Sequence, residues 1–220
     1  MKKKGKFITV EGIEGSGKST LVKMLADRLL DLGEIPVITR EPGGSGLGRM
    51  LRPILLDARR EGLDRLAELH LFLADRAQHM EEEILPSLAQ GKTVICDRFA
   101  DSTVAYQAYG RQLDPEMVRK ICLTHSRLPD LTLLLDTSPE TGLARASKRN
   151  EKAGTTVSEG RFESEKPDFH ARVREGFLEQ ARHYPDRIKI INASESPEAV
   201  LNSCLALIAK KFDNIAGWQV

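Results

Sequence analysis

The sequence predicts an α/β fold in which a five-stranded parallel sheet carries helices on both faces. Five short apolar, β-rich runs indicate the strands, and segments with helical periodicity lie between them. The runs are residues 7–10, 35–39, 93–96, 131–135 and 188–191. Because a strand that is covered on both faces is apolar throughout, these runs are typical of a parallel sheet. A chain of 220 residues has the size of one such domain, and we expect residues 1–220 to form it.

The most specific motif directly follows the first run. The segment of residues 12–19 matches the pattern G-x-x-x-x-G-K-[ST], in which the two glycines are Gly12 and Gly17 and the last two residues are Lys18 and Ser19. The glycines let backbone N–H groups point at a phosphate chain, and the helix that begins there directs its positive end at the same anion. Lys18 can then reach the outer phosphates, and the Ser19 hydroxyl can hold Mg²⁺. A chance Gly-rich turn is the alternative, but the flanking strand and helix favour a nucleoside triphosphate site.

Capping residues and helical spacing indicate the helices. A capping side chain followed by proline marks three helix starts, at Asp114, Ser138 and Ser196. Residues 62–90 are also predicted to be helical, with a kink or boundary at Pro86. Apolar residues at helical spacing are predicted to face the core. They are Leu21, Leu25 and Leu29, then Leu66, Leu69 and Leu73, and then Phe169, Val173 and Phe177.

Charged residues follow the second and third predicted strands. Arg40 and Pro42 stand in the segment after the second strand, and Asp97 and Arg98 come directly after the third. Ligands bind beyond the carboxyl ends of parallel strands, so we expect these side chains to face a ligand. Asp97 can steer a metal ion, and Arg98 can bind a second phosphate. The alternatives are a surface ion pair at Asp97 and Arg98 and a simple turn after the second strand.

Two further segments can recognise a base or a sugar. Phe72 and Arg76 lie four residues apart on a predicted helix and so share a face, where a ring and a guanidinium can form a base pocket. The spacing alone favours the alternative, a core phenylalanine. Residues 101–107 include Tyr106 and Gln107, which can read a base or a sugar or can simply fill space.

A polar segment without periodicity, residues 150–158, is predicted to be a mobile loop and a candidate lid, within a lid region near residues 148–165. Basic residues bracket it, which suits a transferring phosphoryl group, although a solvated basic helix face is the common alternative. These residues are Arg145, Lys148, Arg149 and Arg161, whereas Arg172, Arg174 and Arg182 are expected on the surface.

The composition excludes several classes of protein. The net charge is +1, which gives no bulk reason to expect binding to nucleic acid or membrane. Cys96, Cys122 and Cys204 are widely spaced, which argues against disulfides and a zinc site and favours core thiols. The apolar run after the basic residues 1–6 is too short for a secretory signal, and no run is long enough to span a membrane. We therefore expect a cytoplasmic enzyme.

The order of the motifs resembles bacterial thymidylate kinase. The matching pieces are VEGIEGSGKST, TREPGG, LHLFLADRAQH, DRFADSTVAYQ, LLLDTSPETGLAR and RFESEKPDFHARVREGF, which run from about Phe7 to Arg187. The resemblance implies the P-loop NTPase fold of the nucleoside monophosphate kinases with a short lid. It also implies transfer of a phosphoryl group from ATP to dTMP to give dTDP, with Mg²⁺ as cofactor, and a homodimer.

The same resemblance implies a set of site residues. Those implied to bind ATP are Gly12, Ile13, Glu14, Gly15, Ser16, Gly17, Lys18, Ser19, Thr20 and Arg145, with Ser19 and Asp97 at the metal. The residues implied to bind the base of dTMP are Phe72, stacked on thymine, and Arg76, at its O4. Those implied at the sugar are Glu14 and, against C2′, Tyr106. Arg98 is implied to bind the phosphate, Ser102, Thr103 and Gln107 to lie near the phosphate and base, and Arg40 and Pro42 to form part of the pocket wall.

The catalytic residues implied are Lys18, Arg98 and an arginine from the lid. One branch of the family carries that arginine in the loop at the position of Gly15, so here it is expected from the lid, with Arg149 first and Arg161 second. The lid is longer than the bacterial pattern. Alternatives remain another nucleoside or nucleotide kinase, an assembly ATPase, or a switch GTPase, although the N-K-x-D stretch that reads guanine does not occur.

Overall fold

The structure, a computed structural model, describes residues 5–59, 62–124 and 127–212. Its centre is a parallel sheet with the strand order β2-β3-β1-β4-β5. The strands are β1 (Lys6–Glu11), β2 (Val37–Arg40), β3 (Thr93–Asp97), β4 (Leu131–Asp136) and β5 (Ile188–Asn192). The predicted α/β class with five parallel strands is therefore confirmed. That all 220 residues form one domain stays a prediction.

The helices lie on both faces of the sheet. They are α1 (Lys18–Asp31), α2 (Gly46–Leu56), α3 (Arg65–His79), α4 (Leu85–Ala89), α5 (Ala100–Thr103), α6 (Pro115–Thr124), α7 (Pro139–Ala153), α8 (Pro167–His183) and α9 (Pro197–Lys211). Two π-helical segments, Met80–Ile84 and Val104–Gly110, continue α3 and α5. The boundary expected at Pro86 is confirmed, because Pro86 lies in the first turn of α4.

The three predicted helix caps are all formed. Asp114 Oδ1 accepts a hydrogen bond from the Met117 N–H at 2.7 Å, ahead of α6. The Ser138 and Ser196 hydroxyls accept hydrogen bonds at the starts of α7 and α9 in the same way. Side-chain acceptors satisfy N–H groups that have no partner within the helix, which is why these positions begin helices.

Two apolar layers cover the sheet. On one face, α1 and α9 pack Leu25, Leu29 and Cys204 against the central strands. On the other face, α3, α6 and the segment after β3 pack around Cys96 and Cys122. All three cysteines are free and buried, as the sequence predicted for core thiols.

The edge strands differ from the prediction that every strand is buried. The second strand begins at Val37 instead of residue 35, and Ile35 is 79% exposed. Ile38 on β2 and Ile190 on β5 are also exposed. Both strands lie at the edges of the sheet, where helices cover less of their surface.

Two local predictions are wrong. Leu66 does not face inward, because it lies in the first turn of α3 and is 45% exposed, whereas Leu69 is buried. The loop expected over residues 150–158 begins only at Gly154, since α7 continues to Ala153. Asn150 is 2% exposed, and its side chain bonds Arg149 and Glu163, which holds this last turn of α7 in place.

Across the described ranges, no helix is both long enough and apolar enough to cross a bilayer. Most of the basic N-terminal segment noted in the sequence lies outside those ranges, since they begin at Gly5.

The strand register determines where the functional residues meet. Asp97 at the end of β3 pairs with Val10 on β1 and with Arg40 on β2. The Arg98 N–H then donates to the Val10 carbonyl at 3.0 Å, which holds the chain after β3 beside the loop after β1.

Helix α7 approaches that loop so closely that two glycines are needed. A Cβ on Gly142 of α7 would collide with the Glu14 carbonyl oxygen. A Cβ on Gly15 would collide with the Gly142 carbonyl oxygen, and Gly15 also has φ 66°, which favours glycine. The loop and α7 therefore lie in contact through their backbones.

We expect Gly142→Ala to lower the free energy of unfolding by about 1–3 kcal/mol, because the added methyl group must push α7 away from the loop. Urea unfolding followed by circular dichroism measures the change. Gly46→Ala is the matched control, since the nearest atoms to its added Cβ lie 3.8 Å and 3.9 Å away. Equal stability of the two variants would contradict the close approach of α7.

Candidate active site

A cavity of about 720 Å³ opens at the carboxyl ends of the strands. Its two ends are the glycine-rich loop of residues 12–19 and the pocket between α3 and the segment after β3. Most of the predicted site residues line it. They are Glu14, Gly15, Ser16, Gly17, Lys18, Ser19, Thr20, Arg40, Pro42, Phe72, Arg76, Asp97, Arg98, Ser102, Thr103, Tyr106, Gln107, Arg145 and Arg149. Gly12, Ile13 and Arg161 are not part of the lining.

Lys18 lies against the carbonyl oxygens of its own loop. Its Nζ donates to the Gly12 and Ile13 oxygens at 3.0 Å and 2.7 Å. Gly12 and Ile13 thus contribute to the site from behind the cavity wall. Burial lowers the pKa of Lys18 to about 8, and the nearby Arg98 adds to the effect. An anion in the loop would reverse this shift, because it favours the charged amine.

Ser19 and Asp97 form the oxygen-rich part of the site. The Ser19 hydroxyl donates to Asp97 Oδ2 at 2.9 Å, across the gap between α1 and β3. A hydroxyl and a carboxylate are ligands that suit Mg²⁺, which commonly takes one or two protein ligands together with phosphate oxygens. Within the described residues, no cluster of three or more His, Cys, Asp or Glu side chains could hold a metal without such help.

Arg98 connects the loop with the other half of the cavity. Its Nη1 donates to the Gly12 carbonyl oxygen at 2.9 Å and to the Ser102 hydroxyl at 3.2 Å, and its Nη2 donates to Glu14 Oε1 at 3.0 Å. The residue adopts φ 69°, an uncommon conformation for a side chain of this size. Such conformations are concentrated at functional sites, because surrounding contacts must hold them.

Glu14 is a buried carboxylate within the loop. Its Oε1 accepts hydrogen bonds from Arg98 and from the Tyr106 hydroxyl, and its Oε2 faces His170 Nδ1 at 3.7 Å. Burial alone would raise the pKa of Glu14, but His170, Arg98 and Lys18 outweigh burial and lower the pKa to about 2. The side chain is therefore a fixed negative charge between the two halves of the cavity.

A second buried carboxylate, Glu11 at the end of β1, lies beneath the site. It accepts hydrogen bonds from the Phe99 N–H at 2.8 Å and from the Ser102 hydroxyl at 2.6 Å. Burial, with a smaller contribution from the neighbouring Asp101, raises the pKa of Glu11 to about 8. Glu11 positions Ser102, which in turn contacts Arg98.

The pocket at α3 brings Phe72 and Arg76 into the cavity wall. Arg76 is 2% exposed, and its guanidinium donates to Glu41 Oε2 at 2.9 Å and to the Thr103 hydroxyl at 2.8 Å. Phe72 is half-buried and lies 6.3 Å from the Phe162 ring, centroid to centroid. Phe72 therefore packs against the apolar core on one side and also lines the cavity.

The lid arginines occupy different environments. Arg145 donates to the Ala193 carbonyl oxygen at 3.1 Å, at the end of the cavity near α9. Arg149 has a side chain that is 55% exposed and contacts Glu163 at 3.2 Å. Arg161 is buried, and its guanidinium donates to Glu68 Oε2 at 2.5 Å and to the Leu55 carbonyl oxygen at 3.0 Å. This geometry gives no support to a catalytic role for Arg161.

The structure also shows the exposure of the three arginines that were expected on the surface, Arg172, Arg174 and Arg182. Arg182 is exposed, as expected, on α8. Arg172 and Arg174 are only partly exposed, because Arg172 donates to the Tyr109 and Gly110 carbonyl oxygens and Arg174 pairs with Asp136 at 2.7 Å.

Several residues of the site were missed by the sequence reasoning. Glu41 and Glu68 hold arginines through contacts 35 and 93 residues apart, which no local pattern reveals. Phe162 and Glu163 also line the cavity. Their position directly after Arg161, within one of the segments that carries the family resemblance, was the available signal.

Comparison with known proteins assigns the family. The family model described as thymidylate kinase matches residues 10–204. A thymidylate kinase from Desulfovibrio desulfuricans is 55% identical over 204 residues, which cover 92% of this chain and 94% of the relative. One from Nitratidesulfovibrio vulgaris strain Miyazaki F is 51% identical, with coverage of 92% and 95%.

A solved structure agrees with these relatives. The crystal structure of thymidylate kinase from Ehrlichia chaffeensis matches with a TM-score of 0.74 at 34% identity, and the match covers 93% of this chain and 99% of that one. The resemblance predicted from the sequence motifs is thus confirmed, and the chain belongs to the thymidylate kinase family.

Proposed function

We propose that the cavity is the site at which this chain, a phosphotransferase of the thymidylate kinase family, transfers the γ-phosphoryl group of ATP to dTMP and forms dTDP. The observation that carries the assignment is the contact of Arg98 with both Gly12 and Glu14 of the loop. This contact supports the proposal, because an anion-binding guanidinium that would hold the acceptor lies beside the loop that would grip the donor. The two substrates would then meet with their phosphates end to end.

The loop end of the cavity would hold ATP. Successive loop N–H groups and the start of α1 would face the triphosphate, and Lys18 would leave its carbonyl partners to reach the outer phosphates. Ser19 and Asp97 would hold Mg²⁺, which, when bound, neutralises charge on the phosphates. Arg145, beside Ala193, would lie against the adenine end.

The α3 end would hold dTMP. Phe72 presents a ring for stacking, and Arg76 presents a guanidinium for O4 of the base. Arg98 and Ser102 would bind the 5′-phosphate, and Tyr106 would lie against the sugar. The remaining residues of this end of the cavity wall are Arg40, Pro42, Thr103 and Gln107.

The chemistry needs charge more than it needs a general base. The acceptor is a phosphate oxygen that is already anionic near neutral pH, so it does not have to lose a proton to attack. Two anionic groups must instead be brought into line, and fixed cations supply that stabilisation. Lys18 and Arg98 would supply it from the loop after β1 and the end of β3, and Arg149 lines the cavity from the lid region of residues 148–165.

Arg161 has a different proposed role. Its bonds to Glu68 and to the Leu55 carbonyl oxygen tie the chain after the lid to α2 and α3. We therefore place Arg149 as the catalytic arginine and Arg161 as an anchor for the base of the lid.

A homodimer and a cytoplasmic location belong to the same proposal. Exposed Leu66 on α3 and Leu123 on α6 provide apolar surface that a second copy could cover. Sedimentation equilibrium distinguishes a dimer of about twice the chain mass of 24.5 kDa from a monomer.

The acceptor preference tests the proposed function. With ATP and Mg²⁺ present, we expect phosphoryl transfer to dTMP to exceed transfer to UMP and AMP, because the pocket presents groups for a pyrimidine base and Tyr106 would crowd C2′. A coupled assay of ADP formation measures each acceptor in turn. ATP consumption that does not depend on dTMP, or a preference for AMP, would refute the proposal.

The two lid arginines should respond differently to substitution. We expect Arg149→Ala to lower kcat by about 10³-fold, as for other arginines that stabilise a transferring phosphoryl group. Its free energy of unfolding should stay within about 0.5 kcal/mol of the parent, because the side chain is exposed. Arg161→Ala should instead lower the free energy of unfolding by about 3 kcal/mol, because it removes one partner of buried Glu68.

Arg182→Ala is the matched control for both variants, since Arg182 is an exposed arginine on α8 whose partners are Glu175 and Glu179. Its kcat and stability should match those of the parent. A normal kcat in Arg149→Ala would remove Arg149 from the catalytic residues.

A further inference from the structure

A fully buried carboxylate lies behind the base end of the cavity. Glu68, in the first turn of α3, is 0% exposed. Its Oε2 accepts a hydrogen bond from Arg161 at 2.5 Å, and its Oε1 accepts one from Arg111 Nε at 3.1 Å. Glu68 does not line the cavity, so the substrate roles above leave it unused.

The same carboxylate holds the side chain of Gln107. Gln107 Nε2 donates to Glu68 Oε1 at 2.9 Å, and this is the one side-chain hydrogen bond of Gln107 within the described part of the chain. Because both Glu68 oxygens accept from guanidinium groups, the carboxylate has no hydrogen to offer. A reversed amide would place its oxygen against a carboxylate oxygen, which is repulsive. The charge on Glu68 therefore fixes which end of the Gln107 amide points at it.

The other end of that amide faces the cavity. Gln107 is 1% exposed and lines the cavity wall, whereas Glu68 lies behind it. With Nε2 held on Glu68 through one of its two hydrogens, the acceptor that the amide leaves for a ligand is Oε1. Arg76, held by Glu41 and Thr103, presents donors to the same pocket.

A hydrogen-bond acceptor, Gln107 Oε1, beside a donor, the Arg76 guanidinium, complements the base edge of thymine and uracil but not that of cytosine. Thymine and uracil carry a hydrogen on N3 next to the acceptor O4, whereas cytosine has a bare acceptor at N3 next to an amino group. Arg76 would serve O4, and Gln107 Oε1 would serve the N3 hydrogen. Cytosine would meet acceptor against acceptor and donor against donor, which leaves buried polar groups unpaired.

We propose that Glu68 is a positioning residue that fixes the Gln107 amide with Nε2 on the carboxylate and Oε1 toward the cavity, so that the site selects a base with a hydrogen on N3 and rejects cytosine. The inference rests on the proposed function, in which this end of the cavity holds dTMP. Arg161 and Arg111 belong to the same arrangement, because their charges keep Glu68 an acceptor. The Glu68 carboxylate thus serves two purposes, because it holds the anchor Arg161 and orients the amide that would recognise the pyrimidine.

Substitution of Glu68 by a neutral amide tests the proposal. In Glu68→Gln, the new amide can offer either a donor or an acceptor, so the Gln107 amide is free to turn. We expect the ratio of kcat/KM for dTMP to that for dCMP to fall about tenfold, whereas the ratio of dTMP to dUMP, which share the N3 hydrogen, stays unchanged. Glu68→Asp keeps the charge but shortens the side chain by one methylene, which withdraws the carboxylate from Gln107, and it serves as a second variant in which the same ratio should fall.

Two further variants separate positioning from general damage. Gln107→Leu removes the group through which Glu68 acts, so Glu68→Gln should change the dTMP to dCMP ratio no further in that background. Glu165→Gln is the matched control, because Glu165 pairs with Arg111 at 2.5 Å but does not contact Gln107. Its ratio should equal that of the parent.

The outcomes distinguish this inference from the proposed function. A parent enzyme that phosphorylates dTMP but loses activity on dTMP, dUMP and dCMP equally in both Glu68 variants would overturn the inference alone, since Glu68 would then be purely structural. A further fall of the ratio in the Gln107→Leu background would overturn it as well. A parent that does not phosphorylate dTMP at all would overturn the proposed function instead.

Discussion

The contact between Arg98 and the loop of residues 12–19 is the interaction on which the rest of the site depends. The sheet register brings Asp97 level with Val10, and the chain then turns through a positive φ at Arg98 so that its guanidinium reaches Gly12 and Glu14. The positive φ at Arg98 thus places its guanidinium between the loop end and the α3 end of the cavity.

Buried carboxylates hold two arginines of the cavity wall and a third arginine behind it. Glu14 holds Arg98, Glu41 holds Arg76, and Glu68 holds Arg161. Arginine presents its donors in a rigid plane, so a carboxylate on one side sets the direction of the remaining N–H groups. Glu14 and Glu41 therefore do more than balance charge, because they set the direction of the Arg98 and Arg76 guanidinium groups in the cavity wall.

The sequence predicted the fold and the position of the site for identifiable reasons. Central strands β1, β3 and β4 are apolar because both of their faces are covered, and the loop motif directly after β1 marks the ligand edge. The edge strand β2 was misplaced because an exposed strand carries a weaker apolar signal. The last turn of α7 was missed because Asn150 is held by Glu163, a tertiary contact that overrides local polarity. The anchor role of Arg161 depends on Glu68, which is distant in sequence, so the basic pattern of the lid could not separate it from Arg149.

The most direct test of this account is the kinetics of Arg98→Ala with dTMP near saturation. Because Arg98 is the group that joins both halves, we expect kcat to fall by about 10²-fold or more and the KM for dTMP to rise, while the KM for ATP changes little. Arg98→Lys, which keeps the charge but loses the planar fork, should recover only part of the activity. Near-normal turnover in Arg98→Ala would contradict the account, because the acceptor phosphate would then be held by some other group.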